Sequence, residues 1–214
     1  MPTSYLYQIN SIVELMVFAG PRSILDVGVG FGKYGFLARE YVGIREEYDV
    51  WKPRIDGIEI HEGYITPLHD LIYDQLHVGD ARDIVPSLEG GYDLVLLIDV
   101  IEHMEYEEGL KLLKDCRKKA RNLLISTPKV LARQGEVFGN PHEAHRFHWK
   151  REHFGIFSEK FFVSNDYALI CFAGEDAMST RKAIIKARAT RTVNRWFPFA
   201  KYPYRFWKKV FGKR

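Results

Sequence analysis

The sequence predicts an α/β protein built on a mostly parallel sheet with helices on both faces. Three observations predict it. Short apolar runs of strand length recur along the chain with helical patterns between them, the order expected of βα units. The first run ends in an acid followed by glycines at alternate positions, Asp26, then Gly28, Gly30 and Gly32, which reads as a strand entering a tight turn that lets backbone approach a ligand. The last two runs are separated by Asn165-Asp166, a tight-turn pair, so the sheet is expected to close on a hairpin whose last strand is antiparallel.

Taken in order, a first helix is expected over residues 5–19, where Ile9, Ile12, Val13 and Met16 share one face. Strands are expected at 24–27, 55–58, 75–78, 94–98 and 123–126, and the hairpin strands at 161–164 and 167–172. After the glycine turn, Tyr34, Phe36 and Leu37 ahead of Arg39 and Glu40 give a helical pattern. A chain of 214 residues suits one domain with an extension. The body is placed at residues 1–176, with 127–158 as a long connection of the kind that covers a site, and the extension at 177–214.

Composition narrows the class. With 46% hydrophobic and 28% charged residues, and no apolar run near the length of a membrane span, a soluble globular protein is expected. The start, Met1-Pro2-Thr3-Ser4, has no secretory pattern, so a cytoplasmic setting is expected. Cys116 and Cys171 are far apart without metal or redox spacing and read as buried thiols. Residues 181–214 carry twelve of the 31 Lys and Arg and no acid, leaving nineteen basic residues against 28 acidic ones before them. An acidic body with a basic tail implies an anionic partner for the tail.

The glycine turn also decides between cofactors. Gly30-Phe31-Gly32-Lys33-Tyr34-Gly35 matches the dinucleotide fingerprint by letters, but there the turn receives a pyrophosphate. Asp26 would repel that anion and suits a cationic ligand with an amino group and a sulfonium. The stretch resembles the first motif of class I S-adenosylmethionine-dependent methyltransferases, acid-x-Gly-x-Gly-x-Gly, with a nicotinamide cofactor as the competing reading. Three further strand ends resemble motifs of the same family: Gly57-Ile58-Glu59-Ile60, Gly79-Asp80-Ala81-Arg82-Asp83, and Asp99-Val100-Ile101-Glu102-His103-Met104. The likeness covers residues 5–173 and is to the small-molecule and glycan-modifying kind, methyltransferase type 11-like.

That resemblance implies a Rossmann-like seven-stranded sheet of order 3-2-1-4-5-7-6 and S-adenosyl-L-methionine as cofactor. It places Asp26, Gly28, Gly30 and Gly32 at the methionine end, Glu59 on the ribose, Asp80 and Ala81 at the adenine, and Asp99 near the methyl group, with Asp83 as a helix cap. His103 is the candidate general base, alternatively a capping or packing residue. The sequence lacks the Asn/Asp-Pro-Pro-aromatic run of exocyclic-amine methylases, so an oxygen acceptor is expected.

In the long connection, Asn140, Glu143, His145 and Trp149 resemble a segment of bacterial glycan-modifying methyltransferases. Glu143 and His145 are expected at the substrate, His145 with a catalytic role, and Glu102 and His148 beside them. Four histidines here invite a metal, but no Cys joins them and the spacing alone fixes no geometry, so none is expected. The tail interleaves eight aromatics with its cations, which suits an anionic membrane interface through residues 196–214, single-stranded nucleic acid, or packing on the domain or on a twin subunit in a homodimer. The expected function is methyl transfer to an oxygen of a sugar or lipid-linked glycan intermediate at the inner membrane face. An RNA methyltransferase or a non-catalytic binding module of the same fold are the alternatives.

Overall fold

The computed structural model describes residues 4–42, 53–130, 134–136 and 139–196, and the side chains of these up to residue 192. Seven strands form one sheet: β1 (Ser23–Val27), β2 (Arg54–Glu59), β3 (Gln75–Val78), β4 (Tyr92–Ile98), β5 (Ala120–Pro128), β6 (Lys160–Val163) and β7 (Ala168–Gly174). Their order is β3-β2-β1-β4-β5-β7-β6. The first five are mutually parallel and β7 runs antiparallel to both β5 and β6, as expected from the sequence. The Asn165 side chain forms the expected turn, its Oδ1 accepting from the amides of Tyr167 and Ala168 at 3.0 Å each.

The helices are α1 (Ile9–Ala19), α2 (Lys33–Tyr41), α3 (Leu68–Ile72), α4 (Ala81–Ser87), α5 (Tyr106–Lys119) and α6 (Ala177–Trp196). Strand alternation sends side chains to two cores. Leu94 and Leu96 of β4 join Ile24, Ile55, Ile170 and Phe172 beneath α1, α2 and α6. Val95 and Leu97 join Leu25, Val27, Ile58 and Ile125 beneath α4 and α5. Each such buried aliphatic side chain contributes about 1.5–3 kcal/mol, so the two-faced pattern settles the layered arrangement. Cys116 and Cys171 are buried free thiols, both pushed up to about 12 by burial, and so inert.

The segment expected as an extension begins within this packing. Ala177 and Ile184 of α6 are part of the core, and Glu14 of α1 pairs with Arg188 at 2.5 Å and Arg191 at 2.8 Å. Two of the tail's cations are therefore spent on the body. Residues 197–214, which carry most of the aromatic-basic pattern, lie outside the described residues, as does the side chain of Trp196. Among the described residues no helix is long and apolar enough to cross a membrane.

Strand order reverses between β1 and β4, which opens a crevice at the carboxyl ends of the strands. The four strand-end motifs picked out in the sequence sit on that edge.

Candidate active site

The crevice is a cavity of about 980 Å³. Of the predicted residues it is lined by Gly28, Gly30, Glu59, Asp80, Ala81, Asp99, Glu102, His103, Glu143 and His145. Asp26, Gly32 and His148 are not on its wall.

The glycine turn works differently from its sequence reading. Gly28 has φ +73°, and a Cβ there would stand 2.7 Å from Val100 Cγ2; Gly32 has φ +80°, and a Cβ would stand 2.9 Å from Ile72 Cδ1. Both glycines thus answer to the protein's own packing, and only Gly30 and Gly28 face the cavity. The turn amides are also committed internally. Gly28 and Val29 donate to the Ile58 carbonyl at 2.8 and 3.1 Å, and Gly32 donates to Val29 at 2.9 Å. Gly30 donates to Glu59 Oε2 at 2.8 Å, while Glu59 Oε1 accepts from the His61 amide at 2.8 Å. A diphosphate would find its donors taken and a carboxylate in its place. The acid that repels an anion here is Glu59 rather than Asp26.

Asp26 faces the other side of β1, with Ile24, because side chains alternate along a strand. Its Oδ2 accepts from the Tyr73 hydroxyl at 2.8 Å under the start of α2. Burial raises its pKa to about 6, opposed by hydrogen bonds from Tyr73 and the Gly35 backbone. Because the folded pKa lies above the ordinary 3.8, the folded state holds the proton more tightly between these values. Stability from this group is therefore full below pH 3.8 and lost as pH rises through 6. Asp26→Asn keeps an acceptor for Tyr73 and removes the buried charge. It is expected to raise the melting temperature at pH 8 by several degrees, an advantage that disappears near pH 4; a lower melting temperature at pH 8 would contradict this role.

Asp80 rather than Asp83 is the cap of α4, its Oδ1 accepting from the Arg82 amide at 2.8 Å; Asp83 lies in the first turn. Arg82 closes back on Asp80 at 2.5 Å and bonds Glu108, and its hydrogen bonds hold the Asp80 carboxyl below the usual range. A carboxylate fixed in this way, next to Ala81 on the wall, presents an ionised acceptor to the cavity.

At the end of β4 the chain turns through Asp99, whose φ of +54° makes it the one non-glycine among the described residues in left-handed conformation. Gln8 accounts for its setting: Gln8 Nε2 donates to Asp99 Oδ2 at 2.6 Å, and Ser126 donates to Gln8 Oε1 at 2.6 Å. Burial lifts Asp99 to about 6, with Gln8 and Ser4 pulling the other way. Sequence reading missed Gln8; its one signal was a polar residue on the otherwise apolar face of the first helix.

The next turn, Ile101–His103, is stitched to the long connection. The Glu102 carbonyl accepts from the amides of Arg146 and Phe147 at 2.8 and 3.2 Å, and His103 Nδ1 lies 3.3 Å from the Ala144 carbonyl. Trp149 Nε1 donates to the Ile101 carbonyl at 2.9 Å, and the indole fills a hollow over Gly109, where a Cβ would stand 2.6 Å away. These bonds bring the His145 ring to 5.0 Å from the His103 ring. Glu143 is held by the Tyr64 hydroxyl at 2.9 Å, and Gln134 bonds both the Glu143 carbonyl and the His145 amide. Tyr64 and Gln134 are further lining residues that periodicity and motif spacing did not mark. His148 points away to the Lys129 carbonyl at 2.9 Å, and His153 packs among Tyr106, Phe147 and Trp149. Of the four histidines in the connection, His142 and His145 reach the cavity.

Glu102 is fully buried, and both carboxylate oxygens, like the Thr127 hydroxyl beside it, lack a hydrogen bond of proper geometry. Burial, with Asp99 repelling it, raises its pKa well above the usual carboxylate range. Burial lowers that of His103, leaving it a neutral imidazole near pH 7.

No family model matches the chain. Solved structures do. The N-terminal domain of EvdMO1, determined in the presence of SAH and D-fucose, is 15% identical with a TM-score of 0.59, over 80% of this chain and 84% of that one. A SAM dependent methyltransferase from Archaeoglobus fulgidus is 18% identical with a TM-score of 0.55, over 74% of this chain and 88% of that one. An O-methyltransferase family protein from Burkholderia thailandensis is 17% identical with a TM-score of 0.56, over 78% of this chain and 55% of the other, about half its length. At these identities the likeness establishes the architecture: the chain has the fold of the class I S-adenosylmethionine-dependent methyltransferases.

Proposed function

We propose that this protein is an S-adenosylmethionine-dependent methyltransferase acting on an oxygen of a sugar or lipid-linked glycan intermediate. One observation carries the donor half. The glycine turn has the amides of Gly28, Val29, Gly30 and Gly32 committed and a carboxylate, Glu59, seated in its mouth, an arrangement that disfavours a diphosphate and suits a cationic nucleoside. Glu59 would take the ribose hydroxyls, Asp80 and Ala81 the adenine, and Gly28, Gly30 and Asp99 the methionine end. When bound, the cofactor supplies a methyl group already activated by a positive sulfur.

The protein's own tasks are alignment, water exclusion and disposal of a proton. The acceptor would meet Glu102, His103, Glu143 and His145, which line the same cavity. With Nδ1–H directed at the Ala144 carbonyl, His103 keeps its Nε2 lone pair for the acceptor hydroxyl or for a cation that holds it. Since burial lowers the His103 pKa from its ordinary 6.5, the acid limb of kcat/KM is expected below pH 6.5; a limb above that value would remove His103 from the role.

The oxygen and glycan assignments draw support from the missing Pro-Pro motif, the resemblance of the long connection and the similar EvdMO1 domain, whose structure was determined in the presence of D-fucose. Contact with an anionic membrane through residues 196–214 belongs to the same proposal and is tested by vesicle co-sedimentation. The deciding experiment pairs calorimetry against S-adenosylhomocysteine and NAD with a labelled-methyl screen over free sugars, lipid-linked glycans and RNA. Label in a glycan supports the reading. Label confined to RNA overturns the acceptor, and binding of NAD alone overturns the donor.

A further inference from the structure

We propose that Glu102, His103 and His145 form a binding site for one divalent transition-metal ion, open on its remaining side to the acceptor end of the cavity. One ligand atom from each residue lies within 4.8 Å of the others. Donors about 2.1 Å from a common ion stand roughly 3–4 Å apart, so a movement of about an ångström completes the set. Glu102 and His103 are adjacent on the turn after β4, and His145 is delivered by the backbone bonds that tie its segment to the Glu102 and Gln134 carbonyls.

The independent observation is Glu102 itself. It is 0% exposed, it lies on the cavity wall, and neither of its side-chain oxygens makes a hydrogen bond of proper geometry, the Thr127 hydroxyl being the side-chain group beside them. The Thr127 hydroxyl beside it can serve one carboxylate oxygen, which leaves the second oxygen of a buried acid to be satisfied. The neighbouring carboxylates Asp99 and Glu143 add repulsion to the desolvation. A cation at this point would supply the positive partner that the Thr127 hydroxyl does not. A further feature fits: the Ala144 carbonyl 3.3 Å from His103 Nδ1 is the outer partner that leaves Nε2 as the donor atom.

Two imidazoles and one carboxylate select the ion. Magnesium and calcium take oxygen ligands, whereas manganese, cobalt and zinc accept nitrogen. Three protein ligands leave two or three positions for water or an acceptor hydroxyl. A hydroxyl bound there becomes more acidic and releases its proton to water at the cavity mouth, with His103 serving as ligand rather than base. That last role rests on the proposed methyl transfer; the ion site does not. The proposed site departs from the sequence expectation of no metal, because its ligand set joins two segments some forty residues apart, which histidine spacing within the connection could not show.

The full-length chain, stripped with chelator, is titrated by calorimetry with Mn²⁺, Co²⁺ and Zn²⁺, and with Mg²⁺ for comparison. One ion per chain is expected, with Mg²⁺ the weakest and bound Co²⁺ showing visible absorption. Glu102→Gln and His145→Ala should each weaken binding by more than about tenfold, while His148→Ala leaves it unchanged. Circular dichroism of each variant confirms folding, and Glu102→Gln, which preserves shape, guards against a packing artefact. Absence of stoichiometric binding for all three transition ions overturns the site, as does wild-type binding by both variants. Ion binding with these losses, in a chain that binds no S-adenosylhomocysteine, supports the site and overturns the methyltransferase reading.

Discussion

Glu59→Gln is expected to raise the dissociation constant for S-adenosylhomocysteine by roughly 100-fold. The carboxylate holds two backbone donors at once, the amides of Gly30 and His61, each at 2.8 Å. It does so at the end of β2 while 4% exposed, where its remaining lone pairs face the cavity. Glutamine keeps the volume but replaces one oxygen by an NH2 group, which then confronts a backbone N–H. One charge-assisted bond is lost and a second is weakened, and a pair of ribose hydroxyls meets an amide instead of an anion. Charged hydrogen bonds are worth about 1.5–3 kcal/mol, so a loss of about 3 kcal/mol is reasonable. Calorimetry measures it directly. A change of less than about fivefold, in a variant with wild-type melting temperature, would mean that Glu59 only braces the turn.

Trp149→Ala is expected to be the most destabilising single change in the connection that carries His145. The indole is 1% exposed, donates to the Ile101 carbonyl and touches Phe147, Phe154 and Tyr106. Truncation leaves a cavity and an orphaned buried carbonyl, at a cost of about 3–5 kcal/mol. For a domain of this size that corresponds to a fall in melting temperature of roughly 6–20 °C. Because Trp149 anchors the segment that positions His145, loss of ion binding should accompany it. S-adenosylhomocysteine should still bind the remaining folded protein, since Glu59, Asp80 and the glycine turn lie on other elements. Hydrogen exchange should show faster opening of residues 139–150 while the amides of β1 and β4 stay protected. Equal loosening of the whole sheet would show that Trp149 serves the core rather than the connection.

The strands were readable because each is a short run of β-branched and apolar residues between breakers. Every one of the first five expected runs lies inside an observed strand, and the ends differ by up to three residues, as at β5, Ala120–Pro128. The strand-end acids on the cavity wall were readable for a related reason. Glu59 and Asp99 directly follow such a run and Asp80 lies one residue beyond, after Gly79, and residues just past the carboxyl end of a parallel strand come to one edge. Side-chain direction was not readable. Asp26 and Glu59 are both acids near the ends of adjacent strands, yet one points under α2 and the other into the cavity. Both lie on the same face of the sheet, but Asp26 is level with Gly57 whereas Glu59 stands two residues further along, so Glu59 reaches the edge of the sheet while Asp26 stays beneath α2.

By itself the sequence determined a parallel α/β sheet closed by a hairpin, and the edge on which its chemistry gathers. Local periodicity, glycine placement and turn residues are properties of short segments, so they survive without knowledge of the rest. Only the tertiary structure decided that Gln8 holds Asp99, that His148 turns outward while His145 turns in, and that ligand atoms of Glu102, His103 and His145 come within 4.8 Å of one another. These are meetings between segments distant along the chain, set by the packing of Trp149 and the backbone bonds of residues 144–147. No spacing within a single segment encodes them, because each depends on where another element stops.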